Sequence, residues 1–111
     1  MTAQDSGFRR GEVWAAKLPG TPTEKYYLVV SNDRRNAALG TALVVRITSS
    51  PNRPSIPTIV EIPEGECVFG RVLCDEIEWL YPEDVRAKLG AFSAQAMQAV
   101  TAGLGAAVGK T

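Results

Sequence analysis

The sequence contains no histidine among its 111 residues. This absence excludes catalysis by imidazole, and with it the histidine-pair ribonucleases and the Ser-His-Asp triad. The chain also lacks a long hydrophobic run, and its N-terminus, MTAQDSGFRR, has no apolar segment after a basic start. We therefore expect neither a transmembrane helix nor a signal peptide, which predicts a cytoplasmic protein with no membrane partner.

Cysteine is scarce as well. Cys67 and Cys74 are the only two, and in an intracellular protein we expect them to be reduced and buried on strands. Two thiols seven residues apart, without histidine, are too few ligands for a zinc site. We therefore predict no metal site and no cofactor.

The chain as a whole has no excess of positive or negative charge, but its two halves differ in net charge. Residues 1–56 carry eight basic and four acidic side chains, whereas residues 57–111 carry four basic and eight acidic ones. A basic half suits the neutralisation of nucleic-acid phosphates. An ordinary solvated surface explains the same charges equally well, so composition alone does not decide between the two.

Short runs of β-branched and aromatic residues, separated by turn residues, predict strands. The polar stretch Asn32–Asn36 is predicted as a turn, and the segment 49–57, with three prolines, as an exposed loop. An irregularity of the last strand region is expected at Gly70 and near Cys74. The predicted strand regions are residues 12–18, 26–31, 41–48, 58–62 and 67–79.

Two helices are predicted after the strands. Pro82 suits the first position of a helix that Gly90 would end. Ser93 is placed as the N-cap of a second helix, with Phe92 and Met97 as a hydrophobic staple. Apolar residues then recur at helical spacing at Met97, Val100, Leu104 and Val108.

This order of elements predicts a mainly β fold. Five to seven short antiparallel strands, closed by a C-terminal helix, indicate a small, strongly bent sheet or partial barrel with the helix packed on it. We expect a flexible N-terminus at residues 1–8 and one domain over residues 9–111.

Three motifs occur in one order: GEVW (11–14), YYLVVSNDRRN (26–36) and VVRITSS (44–50). Together they resemble the MazF/PemK (Kid) family of toxin endoribonucleases of type II toxin–antitoxin systems. The resemblance extends through VLCDEI (72–77) to the final helix, over about residues 9–108. It implies an SH3-like barrel and a homodimer that cuts single-stranded RNA by 2′-hydroxyl attack without a metal. It also implies a cognate antitoxin that binds as an extended acidic segment along the substrate groove.

The resemblance assigns the first set of catalytic candidates. Lys25 and Tyr26 stand where relatives have an essential Arg-Pro pair, so the charge is kept but the planar guanidinium is lost. Thr48 stands at the essential strand-end hydroxyl, with Ser49 beside it. The alternative is that Thr48 only caps the following loop. Glu24 matches an acidic residue of some members.

A second set comes from the Arg-Cys-Asp triplet of the Kid/PemK branch, which here reads Leu73-Cys74-Asp75. Asp75 matches the family base, and Arg71 shares a strand face with position 73, from which it would replace the missing arginine. The alternative for Asp75 is a carboxylate that ends a strand and is bonded to a turn.

The remaining candidates are RNA contacts. A double arginine in a turn is usually solvated surface, and contact with phosphate is the alternative for Arg34 and Arg35. Arg46, in the middle of a strand, must face solvent, a groove or a carboxylate. Exposed aromatic residues stack on bases, although strand aromatics more often pack in a core. The predicted RNA-binding residues are Ser49, Arg34, Arg35, Arg46 and Arg53, and the aromatic candidates are Tyr26, Tyr27 and Trp79.

The leading hypothesis is a sequence-selective endoribonuclease toxin acting on mRNA. Because both family arginines are absent, the alternative is a toxin that acts by binding alone, as CcdB does on a related fold, or an inactive relative.

Overall fold

The protein, described here from a computed structural model for residues 7–109, is built on one antiparallel sheet of six strands. The strand order is β4-β5-β3-β2-β1-β6, and two helices accompany the sheet. The mainly β prediction is confirmed, as is the predicted number of strands. The elements are β1 (Glu12–Ala16), β2 (Lys25–Val29), α1 (Asp33–Leu39), β3 (Ala42–Thr48), β4 (Ile59–Glu61), β5 (Arg71–Leu80), β6 (Val85–Ala91) and α2 (Ala94–Ala107).

A bulge in β5 bends the sheet. On β3, Val45 pairs with Ile77, but the next residue, Arg46, pairs with Leu73, so three residues of β5 are left without a partner on β3. Such extra residues kink a strand and increase its twist. The irregularity predicted near Cys74 is this bulge.

The bend brings the two edges of the sheet together, as the partial-barrel prediction requires. A side chain at Gly90 on β6 would approach Cys67, in the β4–β5 loop, to 2.8 Å. From the same loop, the Glu66 carboxylate accepts hydrogen bonds from the backbone N–H of Ser93 (2.9 Å) and from its hydroxyl (2.6 Å). The loop therefore joins the β4 edge to β6 and to the start of α2.

Alternating side chains divide the apolar interior into two clusters. Leu28 faces the cluster under α2, while its neighbours Tyr27 and Val29 face the other cluster. The cluster under α2 includes Val13, Leu28, Val45, Val72 and Val100, and the other includes Phe8, Tyr27, Val29, Val44 and Leu80.

Helix α1 replaces the turn predicted at Asn32–Asn36. The Asn32 side chain accepts a hydrogen bond from the Arg35 N–H (2.8 Å), and Gly40, with φ of +72°, ends the helix. Asn36 is fully buried, and its amide donates to the carbonyls of Phe8 and Ser31, both at 3.1 Å. A polar residue that looks like a loop residue in the sequence is therefore a buried bridge.

The helix predicted from Pro82 to Gly90 is wrong. Pro82–Asp84 forms a single 3-10 turn, and the chain then enters β6, which pairs with β1. Proline and the acids suit a helix start, but the backbone of β1 needs a partner on that side. The sheet hydrogen bonds override the local propensity.

Phe8, the last residue of the predicted flexible N-terminus, contacts the rest of the fold. Phe8 is buried, and its ring meets Trp14 edge to face at 5.6 Å. The residues of that predicted segment before Gly7, and the last two of the chain, lie outside the described residues.

Helix α2 begins as predicted, with Ser93 as N-cap accepting from the Ala96 N–H at 3.2 Å. Val108, predicted on its apolar stripe, lies beyond its end and is exposed. Gly103 has a purpose that the sequence did not reveal, because a side chain there would meet Cys74 Sγ at 2.7 Å. The glycine lets α2 lie close on β5. Within residues 7–109 no helix is long and apolar enough to cross a membrane.

Candidate active site

A groove of about 720 Å³ opens where β2 begins and β3 ends. One wall comes from these strands and the loop after β3, and the other from residues 67–69 of the β4–β5 loop. The groove brings together five of the predicted catalytic and RNA-binding residues: Glu24, Lys25, Arg46, Thr48 and Ser49.

Strand pairing places Lys25 beside Thr48. Tyr26 pairs with Ile47 in the antiparallel β2–β3 ladder, and the same register continued by one residue sets Lys25 opposite Thr48. Directly opposed residues of antiparallel strands project from the same face. A cation and a hydroxyl therefore share one wall of the groove.

The hydroxyl of Thr48 is held by the loop that follows. Its Oγ1 accepts a hydrogen bond from the backbone N–H of Ser50 at 3.1 Å, which is the capping contact considered as the alternative. The same bond fixes the oxygen in place and leaves the hydroxyl proton for donation. Capping and substrate contact are thus compatible roles for one side chain.

Arg71 lies next to Thr48 across the β3–β5 ladder, but its guanidinium is engaged elsewhere. Its Nε pairs with Glu61 at 2.5 Å, and its Nη1 donates to the Ser50 carbonyl at 3.2 Å. Arg71 does not line the groove. It holds the segment after β3 in place, and Thr48 with it.

Asp75 is exposed in the β5 bulge and does not line the groove either. The structure therefore does not bring Asp75 to Lys25 and Thr48. Leu73, which fills the arginine position of the family triplet, is buried and pairs with Arg46 on β3. A guanidinium is thus present at the same level of the sheet, one strand away.

Among residues 7–109, the Arg46 side chain makes no hydrogen bond of ordinary length. Its Nη1 lies 4.0 Å from Glu76 Oε1, and its buried Nε has no hydrogen-bond partner. Of the three environments predicted for this side chain, two are found together, a groove and a carboxylate.

Arg34, Arg35 and Arg53 lie away from the groove. Arg35, on α1, donates to the Thr41 carbonyl at 2.7 Å and lies over the Trp79 ring, 5.2 Å from its centre. Arg34 is exposed on the same helix, and Arg53 is exposed in the loop after β3.

Aromatic side chains stand on both walls of the groove. Tyr26 lines it and is exposed, whereas Tyr27 is buried in the sheet. Phe69, on the opposite wall, is 80% exposed. Phe69 was not among the aromatic candidates predicted from the sequence. It lies in the loop before β5, where a strand was predicted from residue 67. An exposed pair of rings suits stacking on bases.

The two thiols differ in environment. Cys74 is buried, its Sγ lies 3.8 Å from the Val100 carbonyl, and burial, with the negative Asp75 beside it, raises its pKa to about 11. Cys67 is exposed in a loop on the groove wall, so the prediction of a buried strand residue is wrong there. Among the described residues no three metal-ligating side chains lie close enough to hold an ion.

The chain matches known proteins over nearly its whole length. The model of the family described as "PemK-like, MazF-like toxin of type II toxin-antitoxin system" matches residues 9–108. The endoribonuclease MazF4 of Mycobacterium tuberculosis is 32% identical over 100 residues, which cover 90% of this chain and 91% of that protein. The protein is therefore a toxin of the endoribonuclease class. It belongs to the PemK-like, MazF-like toxin family of type II toxin–antitoxin systems.

Solved structures of similar proteins have the same fold as this chain. A mycobacterial endoribonuclease in complex with its cognate antitoxin has a TM-score of 0.85 and 30% identity, over 94% of this chain and 97% of that one. A MazE–MazF crystal structure from Deinococcus radiodurans has a TM-score of 0.73 at 24% identity, over 95% and 98%, and shows the shared fold. The resemblance stated from the sequence is confirmed. These relatives give no support to a toxin that acts by binding alone.

Proposed function

We propose that this toxin cleaves single-stranded RNA in the groove between β3 and the β4–β5 loop, by attack of a 2′-hydroxyl on the adjacent phosphorus. The observation that carries the proposal is the arrangement of Lys25, Arg46 and Thr48 in one groove. Two cations and a hydroxyl donor are the groups that stabilise a phosphorus centre as negative charge accumulates on its oxygens.

The roles follow from the chemistry of each side chain. Lys25 and Arg46 neutralise the phosphoryl oxygens, and Thr48, held by Ser50, donates a hydrogen bond to one of them. Arg46 supplies the guanidinium that the family triplet would carry at position 73. The departing 5′-oxygen takes a proton from water in the open groove. The products carry a 2′,3′-cyclic phosphate and a 5′-hydroxyl.

The base that accepts the 2′-hydroxyl proton is Glu24 in this proposal. Glu24 is the carboxylate among the residues that line the groove, while Asp75 lies outside it. A base must come within hydrogen-bond reach of the proton that it removes, so position favours Glu24 over Asp75. Arg71 acts as a positioning residue through the Ser50 carbonyl.

We also propose a cytoplasmic homodimer that a cognate antitoxin neutralises. Support for the antitoxin comes from the mycobacterial relative, solved in complex with its own. The basic wall formed by Lys25 and Arg46 would attract an extended acidic segment into the groove. Support for the dimer comes from apolar side chains left exposed on β5, among them Ile77 and Trp79.

The test is cleavage of a mixed-sequence RNA by the purified protein in EDTA, with the ends of the products mapped. We expect cutting to continue, and cyclic phosphate and 5′-hydroxyl ends. Loss of cutting on chelation that magnesium restores would contradict the metal-free mechanism. A protein that binds RNA without cutting it under any condition would contradict the nuclease proposal itself.

A further inference from the structure

A second cavity, of about 330 Å³, lies behind the groove, between the loop of residues 18–22 and the strands β3 and β5. Lys25 and Arg46 line both spaces and form the wall between them. The volume is at the lower end of the range for small-molecule pockets, roughly 300–1,000 Å³. It suits one flat ring system rather than a length of chain.

The loop over this cavity is ordered by its own sequence. Leu18, Pro19, Gly20 and Thr21 form a turn in which the Thr21 N–H and hydroxyl both donate to the Leu18 carbonyl, at 3.2 and 2.7 Å. Proline at the second position and a glycine with φ of +86° at the third are the signature of a type II turn. The cavity is therefore formed before any ligand arrives.

The polar groups around the cavity lack protein partners. Among residues 7–109, the side chains of Glu76, Glu78 and Tyr27 make no hydrogen bond of ordinary length, and Arg46 reaches Glu76 only at 4.0 Å. The buried carboxylate of the described residues is bonded differently. Glu12 accepts three contacts between 2.8 and 3.1 Å.

The Tyr27 hydroxyl lies within the field of these charges. Burial raises its pKa, the positive Arg46 opposes the rise, and the carboxylates Glu78 and Glu76 add to it. Two of the groups that line the cavity, the Tyr27 side chain and the Arg46 Nε, are therefore buried without a hydrogen-bond partner among residues 7–109, and the more exposed carboxylates of Glu76 and Glu78 stand beside them. Such an arrangement is typical of a site that waits for a polar ligand.

We propose that this cavity is a nucleobase pocket that selects guanine, which deepens and rests on the proposed cleavage of RNA in the adjoining groove. Guanine presents, along its Watson–Crick edge, the O6 acceptor followed by the N1–H and N2–H donors. Arg46 lines both spaces, and its five N–H donors can be divided between a phosphoryl oxygen in the groove and the guanine O6 in the cavity. Beside it, Glu76 presents a carboxylate with two acceptor oxygens, so the pair is the complement of the guanine edge. Adenine and cytosine each offer only one amino donor there, and uracil places its N–H between two acceptors.

The position of the pocket fits this assignment. A nucleotide whose base enters the cavity carries its phosphate past the shared wall, where Lys25 stands beside Thr48. The carboxylate of Glu78 adds negative potential that favours the donor edge of guanine and disfavours a phosphate in the cavity itself.

The test that does not depend on catalysis is an NMR titration of the whole protein with GMP, AMP, CMP and UMP. We expect GMP to bind roughly 5- to 100-fold more tightly than the others, as a good two-point base contact discriminates. The amide shifts should centre on residues 18–22 and 76–78. IMP, which lacks the N2 amino group, should bind more weakly than GMP.

Matched variants make the test decisive. Glu76→Gln should remove most of the preference for GMP, and Glu78→Gln should weaken it less. Glu83→Gln changes the charge equally at an exposed site in the 3-10 turn Pro82–Asp84, away from the cavity, and should leave the preference unchanged. Equal affinity for the four nucleotides, or a preference that survives Glu76→Gln, would overturn the proposal.

Mapped cleavage ends separate this proposal from the proposed function. When the wild-type protein cuts a mixed RNA, the cleavage sites should lie at a fixed distance from a guanine. The Glu76→Gln variant should cut without this dependence on guanine. Efficient cutting without any guanine rule overturns the pocket and leaves the nuclease standing. Selective GMP binding by a protein that never cuts RNA supports the pocket and overturns the nuclease.

Discussion

At the scale of single residues, Lys25 tests the proposed chemistry most directly. Lys25→Ala removes a cation beside the scissile phosphate and should reduce RNA cleavage about 10²- to 10³-fold, with little change in stability because the side chain is only half-buried at a strand entrance. Lys25→Arg restores a planar donor pair and should preserve or raise the rate. Initial rates on one defined RNA give both numbers.

The control for Lys25 is Arg86→Ala, which removes an exposed basic charge from β6, away from the groove. It should cut RNA like the wild type. If Lys25→Ala also cut at the wild-type rate, the transfer of the family role to this position would be mistaken, and Arg46 would be left as the groove cation to examine.

The sequence predicted which residues line the groove better than it predicted the contacts between them. Lys25 and Thr48 were found because the family resemblance assigns their positions, at the start of β2 and the end of β3. The pairing of Arg46 with Leu73 could not be predicted from the sequence, because it depends on a bulge that shifts the β3–β5 register. Arg71 was placed on the correct strand, but its partner Glu61 comes from β4, and no spacing in the sequence indicates that pair.

At the scale of elements, the β1–β6 junction predicts a pH dependence of stability. Burial alone raises the pKa of Glu12, but hydrogen bonds from Lys88, the Arg9 N–H and Trp14 together lower it below the ordinary value of 4.5. A carboxyl group with a depressed folded-state pKa contributes stability above its unfolded pKa. That contribution is lost as the pH falls through the folded-state pKa.

Glu12→Gln should therefore lower the free energy of unfolding by about 1–3 kcal/mol at pH 7, and by much less at pH 3. Denaturant unfolding of both proteins at the two pH values measures this, with Glu83→Gln as the exposed control. An equal loss at pH 7 and pH 3 would show that the charge of Glu12 contributes nothing.

The errors at this scale have one cause. Strands β1 to β5 were predicted within a few residues because alternation and turn residues are local signals. The segment Val85–Ala91 and helix α1 were mistaken because their state depends on distant contacts, namely the pairing of β6 with β1 and the burial of Asn36 against Phe8. Local propensity does not contain that information.

At the scale of the whole molecule, we expect a dimer. Trp79 and Tyr81 stack with their ring centres 6.3 Å apart and remain 53% and 42% exposed, so a single subunit leaves aromatic surface in water. Light scattering at micromolar concentration should give twice the mass of one chain. A monomer that retains full RNA cleavage would contradict the proposed dimer.

The β4–β5 loop, finally, limits how this toxin can change over evolutionary time. Its tip forms a wall of the groove, while Glu66, next to that tip, caps helix α2 through Ser93. At its base, the Ile62 N–H donates to the Gly70 carbonyl at 3.0 Å. A descendant that lengthened the loop to admit a different RNA would lose the two hydrogen bonds that join Glu66 to Ser93, the N-cap of α2. New specificity is therefore more accessible through single substitutions at the tip, Phe69 first among them, than through insertions.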